Sequence, residues 1–81
     1  MAQVNINDVL DLFREAEVDG DLDALDSNAP LLQQGMDSLD MMNVFFQIEE
    51  KYGVHVEEDS IASGDWDSLT KIANSITTLG A

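Results

Sequence analysis

Hydrophobic positions recur at helical spacing in three places along the chain. Ile6, Val9, Leu10, Phe13 and Ala16 mark the first, and they predict a helix over about 6–16 capped by Asn5 or Asn7. Asp19-Gly20-Asp21-Leu22-Asp23 breaks that pattern, and the chain then reads as a loop through Gly35. Loops of roughly 20 residues are uncommon in compact domains unless they function or pack. Leu22, Leu25, Leu31 and Leu32 predict that this one packs against the helices, with Pro30 stiffening it. A second helix is expected over about Ser38 to Tyr52, stopped by Gly53. Val54 to Ser60 is a connection, and residues 57–61 read as one short helical turn. The last helix, about Ser68 to Leu79, should bury Leu69, Ile72, Ala73, Ile76 and Leu79 along a single stripe. The pattern as a whole predicts an all-α fold: three long helices, one short one and a long first loop, packed as a small bundle.

The second helix carries more apolar surface than a bundle needs. At about 100° per residue, Val44, Met41, Tyr52, Ile48 and Phe45 share one arc that suits a core. Leu39, Met42 and Phe46 form another beside it, with Glu49 between the two and Asp40, Asn43, Gln47 and Glu50 polar on the far side. A second stripe edged by acids reads as a docking surface for another protein. The competing reading is that Leu31 and Leu32 of the loop cover it. The last helix shows no such excess.

Length and charge narrow the function. The 81 residues make a single domain, 1–81, with a thin core, and a deep multi-residue active site is not expected. Seventeen acids face three bases, Arg14, Lys51 and Lys71, for a formal charge of −14. That field repels nucleic acid and anionic membranes and steers a partner with a basic patch, although solubility alone accounts for any one acid. Self-repulsion also predicts modest stability and sensitivity to divalent cations. There is no cysteine, which excludes disulfides, thiolate catalysis and cysteine-based zinc sites. No signal peptide and no membrane-length apolar run are evident, so a monomer in the cytoplasm is expected.

Several chemistries fail on spacing. Asp19, Asp21 and Asp23 resemble the start of a calcium loop, but Ala24 and Pro30 stand where glycine and glutamate are required, so no metal site is assigned. His55, in Val54-His55-Val56, is the only histidine and reads as a surface residue. No Gly-x-Ser-x-Gly elbow accompanies it, so a hydrolase triad is excluded and the chain is not read as an enzyme.

Asp-Ser-Leu occurs twice, at Asp37-Ser38-Leu39 and at Asp67-Ser68-Leu69. Capping alone accounts for both copies. Asp37 can cap the second helix, with Asp40 completing a weak capping box and Met36 and Met41 a hydrophobic staple. Asp67 can cap the last helix likewise, but Thr70 replaces the acid and Lys71 leaves Trp66 without a staple partner. Ser38 differs in opening the two-faced helix after a glycine-containing loop. A phosphate ester there would meet free backbone N–H groups and the positive end of the helix dipole.

Pro30-Leu31-Leu32-Gln33-Gln34-Gly35-Met36-Asp37-Ser38-Leu39-Asp40, followed by Ile48-Glu49-Glu50-Lys51-Tyr52-Gly53-Val54, resembles the acyl carrier proteins. The resemblance covers nearly the whole chain. It implies a four-helix bundle and a 4′-phosphopantetheine arm, donated by coenzyme A through a magnesium-dependent phosphopantetheinyl transferase and attached at Ser38, flanked by Asp37 and Leu39. Acyl or aminoacyl groups would ride on the arm's thiol as thioesters. Loading and chain-processing enzymes with basic patches would dock on Asp40, Met42, Phe46, Glu49 and Glu50. Three positions depart from the fatty-acid type: Gln34 stands where leucine is usual, Asn43 where an acid is common, and Trp66-Asp67-Ser68-Leu69-Thr70-Lys71-Ile72 opens the last helix differently. The last is similar to free-standing carriers dedicated to one pathway, including polyketide and aminoacyl types. An unmodified acidic adaptor that binds a basic partner is the alternative from another class.

Overall fold

A computed structural model describes residues 3–18 and 20–80; Asp19 of the calcium-like run lies outside them. They form four α-helices: α1 (Ile6–Glu15), α2 (Ser38–Tyr52), α3 (Glu58–Ala62) and α4 (Leu69–Gly80). No strand occurs among the described residues. The fold is therefore a small helical bundle of three long helices and one short one, as the periodicity predicts. α1 packs on α4 and α2, and α2 on α4.

Local chemistry sets where α1 begins and ends. Asn5 is its cap: the Asn5 side chain accepts the Asp8 N–H at 2.9 Å, and the Asp8 carboxylate accepts the Asn5 N–H at 3.0 Å. The helix ends at Glu15 with Ala16 as its C-cap, close to the expected end. Glu17 takes a left-handed φ of 59°, its N–H donates to the Arg14 carbonyl and the Val18 N–H to the Phe13 carbonyl. That double bond pattern is a Schellman stop, with buried Val18 as its apolar contact.

Val9, Leu12, Phe13, Leu31, Val44, Ile48, Ile72 and Ile76 are almost wholly buried and share one core cluster. Three expectations are corrected. Leu79 was expected in the last helix's buried stripe but is exposed; it lies in the final turn of α4. Leu32 was expected against the helices but is also exposed, because Leu31–Gln33 forms a 3-10 turn that points Leu31 into the core and its neighbour away. Asp67 does not cap α4; Ser68 does, for reasons of geometry given below.

The long loop is tied down at both ends. Leu22–Ala24 and Leu31–Gln33 are 3-10 turns, and Leu22 and Leu25 pack partly buried against the core. The Leu31 N–H donates to the Asp67 carbonyl at 2.8 Å, and the Thr70 N–H to the Ser27 carbonyl at 3.0 Å. The loop is thus fastened to the start of α4. This holds the approach to α2 in place.

Candidate functional site

The two Asp-Ser-Leu copies fold into different roles. At the first, Asp37 caps α2: its carboxylate accepts the Asp40 N–H at 2.8 Å, and the Asp40 carboxylate accepts the Asp37 N–H at 3.3 Å. Met36 and Met41 are both buried in the core cluster, as the staple requires. With the capping done by Asp37, Ser38 is left over. It is exposed, and among the described residues its hydroxyl has no hydrogen-bond partner. The N–H groups of Ser38 and Leu39 likewise lack a protein acceptor there, as expected for the first turn of a helix.

At the second copy the serine itself is the cap. Ser68 is 3% exposed, and its Oγ accepts the Lys71 N–H at 3.2 Å. The Asp67 carbonyl is occupied by Leu31. Ser38 is open to reaction and Ser68 is consumed by the fold.

An apolar groove of about 440 Å³ opens beside Ser38, between the loop, α2 and α3. Met41, Met42 and Phe45 line its α2 wall, Ile61 the α3 side, and Trp66 its floor. Trp66 lacks a staple mate, but it finds others. It is 2% exposed, stands edge-on to Phe45 with ring centroids 6.1 Å apart, and donates its indole N–H to Ser60 Oγ at 2.9 Å. α3 is held in part through this bond.

The second stripe of α2 is uncovered. Leu39 and Met42 are each 65% exposed and Phe46 58%, while Leu31 lies in the core and Leu32 faces solvent. The acids around that stripe are not equivalent. Glu50 is exposed. Glu49 Oε2 accepts the Val56 N–H at 2.9 Å and lies 3.0 Å from His55 Nδ1, so it also fixes the connection to α3. Asp40 is half-buried in the capping box. His55 is exposed, and no group of three or more His, Asp or Glu among the described residues is arranged to hold a metal.

Two structural roles escape a reading of periodicity. Gln34 folds its carboxamide back onto the loop, and Thr70 Oγ1 donates to Asn28 Oδ1 at 2.9 Å. The signal for the first is its departure from the leucine usual in fatty-acid carriers. Nothing local marks the second, because its partner lies 42 residues away.

The arrangement fits a phosphopantetheine arm. A free hydroxyl with unpaired N–H groups beside it can bear a phosphodiester, and the cysteine-free chain needs a thiol from elsewhere. A family model described as "phosphopantetheine attachment site" matches residues 7–76. Neither curated proteins nor solved structures gave a match. Domains of this family bear a covalent 4′-phosphopantetheine and act as carriers, not as catalysts. With its all-helical fold and a match over most of its length, the chain belongs to the phosphopantetheine-attachment family of carrier domains.

Proposed function

We propose that residues 1–81 work as one cytoplasmic, monomeric carrier domain whose arm is attached to Ser38. The observation that carries this reading is the contrast between the twin serines: Ser38 is exposed and unbonded, whereas Ser68 is buried and capping. Asp37 and Leu39 flank the attachment point. The bound arm supplies a terminal thiol, on which acyl or aminoacyl groups are held as thioesters. The chain's own residues place the arm at the end of a rigid helix and surround its root with an apolar groove.

Docking falls to the open face of α2. Met42 and Phe46 offer apolar contact, and Asp40, Glu49 and Glu50 offer charge to the basic patches of the transferase and of loading and processing enzymes. The formal charge of −14 supports protein partners of this kind over nucleic acid or anionic membranes. No helix among the described residues is long and apolar enough to cross a membrane.

Incubation with coenzyme A and a broad-specificity phosphopantetheinyl transferase tests the reading. Intact-mass analysis should show one phosphopantetheine added to the wild type and to Ser68→Ala, and none to Ser38→Ala. A wild-type chain that gains no mass is an unmodified adaptor, and modification that survives in Ser38→Ala places the arm elsewhere.

A further inference from the structure

In the segment that delivers the chain to Ser38, one side chain ties two stretches of the loop together. Gln34 Oε1 accepts the Asp26 N–H at 2.7 Å, and Gln34 Nε2 donates to the carbonyls of Asp26 and Ala29, each at 3.0 Å. One carboxamide thus spends its acceptor and both donors on a single turn. That turn is braced from within by the Asn28 N–H on Asp26 Oδ1 at 2.9 Å. Its far side is bolted to α4 through Thr70, whose N–H and hydroxyl reach Ser27 and Asn28. Immediately after Gln34 the chain reverses at Gly35, with φ of 92°, a conformation that L side chains avoid. It then buries Met36, caps α2 with Asp37 and exposes Ser38. The three residues between the clamp and the serine include a glycine, the backbone type with most freedom to lose. Buried Met36 and the Asp37 cap fix the segment after that hinge, and the Gln34 clamp fixes it before.

We propose that Gln34 is a positioning residue for phosphopantetheine transfer, locking the Asp26–Ala29 turn to the Gly35–Asp37 entry so that the Ser38 hydroxyl is presented in one orientation. The inference rests on the attachment reading above. In the transfer, Ser38 Oγ attacks the phosphorus next to the pantetheine in the pyrophosphate of coenzyme A. A new P–O bond forms and the bond from that phosphorus to the bridging oxygen breaks. Adenosine 3′,5′-bisphosphate leaves with the electron pair, and the hydroxyl proton passes to a base of the transferase. The step depends on the direction of approach of Oγ, whereas docking depends on the exposed face of α2. Loss of the clamp should therefore appear in kcat and not in KM.

The test is steady-state transfer to full-length Gln34→Leu and Gln34→Glu, well below their melting temperatures, with coenzyme A and a broad-specificity transferase. Glutamate is isosteric but turns a carboxylate oxygen toward the two carbonyls that the amide served. Both variants should lose about tenfold in kcat with KM for the carrier within about twofold, the scale expected when a reacting group is misplaced by a fraction of an ångström. Should Gln34→Leu fail to fold, Gln34→Glu carries the test alone. Thr70→Val, which removes the hydroxyl bond to Asn28 but leaves the backbone bond to Ser27, should give a smaller fall in kcat, and the double variant should not be additive with Gln34→Leu. An unchanged kcat, a loss confined to KM, or strict additivity overturns the proposal. A wild type that takes up no phosphopantetheine instead overturns the attachment reading, which separates the two failures.

Discussion

Removing the two serine hydroxyls one at a time should have opposite consequences for stability and for modification. Ser68→Ala deletes the acceptor for the Lys71 N–H at the start of α4, in a site only 3% exposed. Loss of an N-cap costs typically about 1 kcal/mol, within a range of about 0.5–2. In a domain of this size, about 1 kcal/mol lowers Tm by roughly 4–8 °C. Ser38→Ala removes a hydroxyl with no partner at the first helical position, where alanine is the better helix former, so stability should stay within about 0.5 kcal/mol. Thermal melts followed by far-ultraviolet circular dichroism, beside the intact-mass assay, read both effects on the same samples. Ser68→Ala should melt low and be modified; Ser38→Ala should melt normally and stay bare. Equal melting points for the two variants would refute the division of labour between the twin motifs.

Glu17 sits at φ 59°, where a Cβ is strained, so Glu17→Gly should stabilise the chain by about 1 kcal/mol and raise Tm in the same melt. Trp66→Ala empties the groove floor and strands Ser60; a loss of about 3–5 kcal/mol is expected in urea titration, and a loss under about 1 would show that the floor is not packed. Added salt should raise Tm, because a formal charge of −14 repels itself and about 0.15 M salt largely screens exposed charges more than about 8 Å apart. At alkaline pH the sign is set by two raised groups: Tyr52 through burial, and Lys51 chiefly through its hydrogen bond to Glu15. Both hold their protons more tightly when folded. Their contribution is whole below the ordinary phenol and amine values of 10.0 and 10.5, and it is lost as pH rises past them. Tyr52 is the only tyrosine, so its phenolate absorbance should appear at higher pH in the native chain than in urea.

What could be read in the residues divides by range. The core arcs of α1 and α2, the cap at Asp37 and the left-handed stop at Gly53 depend on neighbours within a turn or two, and a periodic pattern registers them. The end of α1 near Ala16 follows from its apolar period, but the left-handed Glu17 that makes the stop does not, because its side chain disfavours that conformation; buried Val18 and two backbone bonds hold it there. Leu79 fits the helical period as well as Ile76 does, yet it is exposed in the final turn, because a period does not say which turns of a helix have neighbours. Ser68 and Asp67 are both good caps by residue type; in the fold Ser68 Oγ takes the Lys71 N–H, while the Asp67 carboxylate lies beside Gly64. Ser38 already differs from its twin in the residues around it, by the two-faced helix it opens; that Ser68 is buried and capping is seen only in the fold.

The same division bears on how partners would read α2. Two of its acids already serve the fold: Asp40 closes the capping box, and Glu49 holds the Val56 N–H and faces His55. A carboxylate engaged through one oxygen keeps its negative charge and its second oxygen, so neither acid is removed from an approaching basic patch. Both are positioned by bonds that the isolated domain makes for itself. A partner's cation would meet them at lower ordering cost than a free, rotamer-rich side chain. Glu50, exposed and without such a bond among the described residues, would add steering charge but little geometry. In the proposed docking, the apolar anchors Met42 and Phe46 and the prearranged Asp40 and Glu49 would carry the recognition. Charge reversal at Glu50 should then slow association and steepen no other term, whereas Phe46→Ala should raise the dissociation rate of the transferase complex.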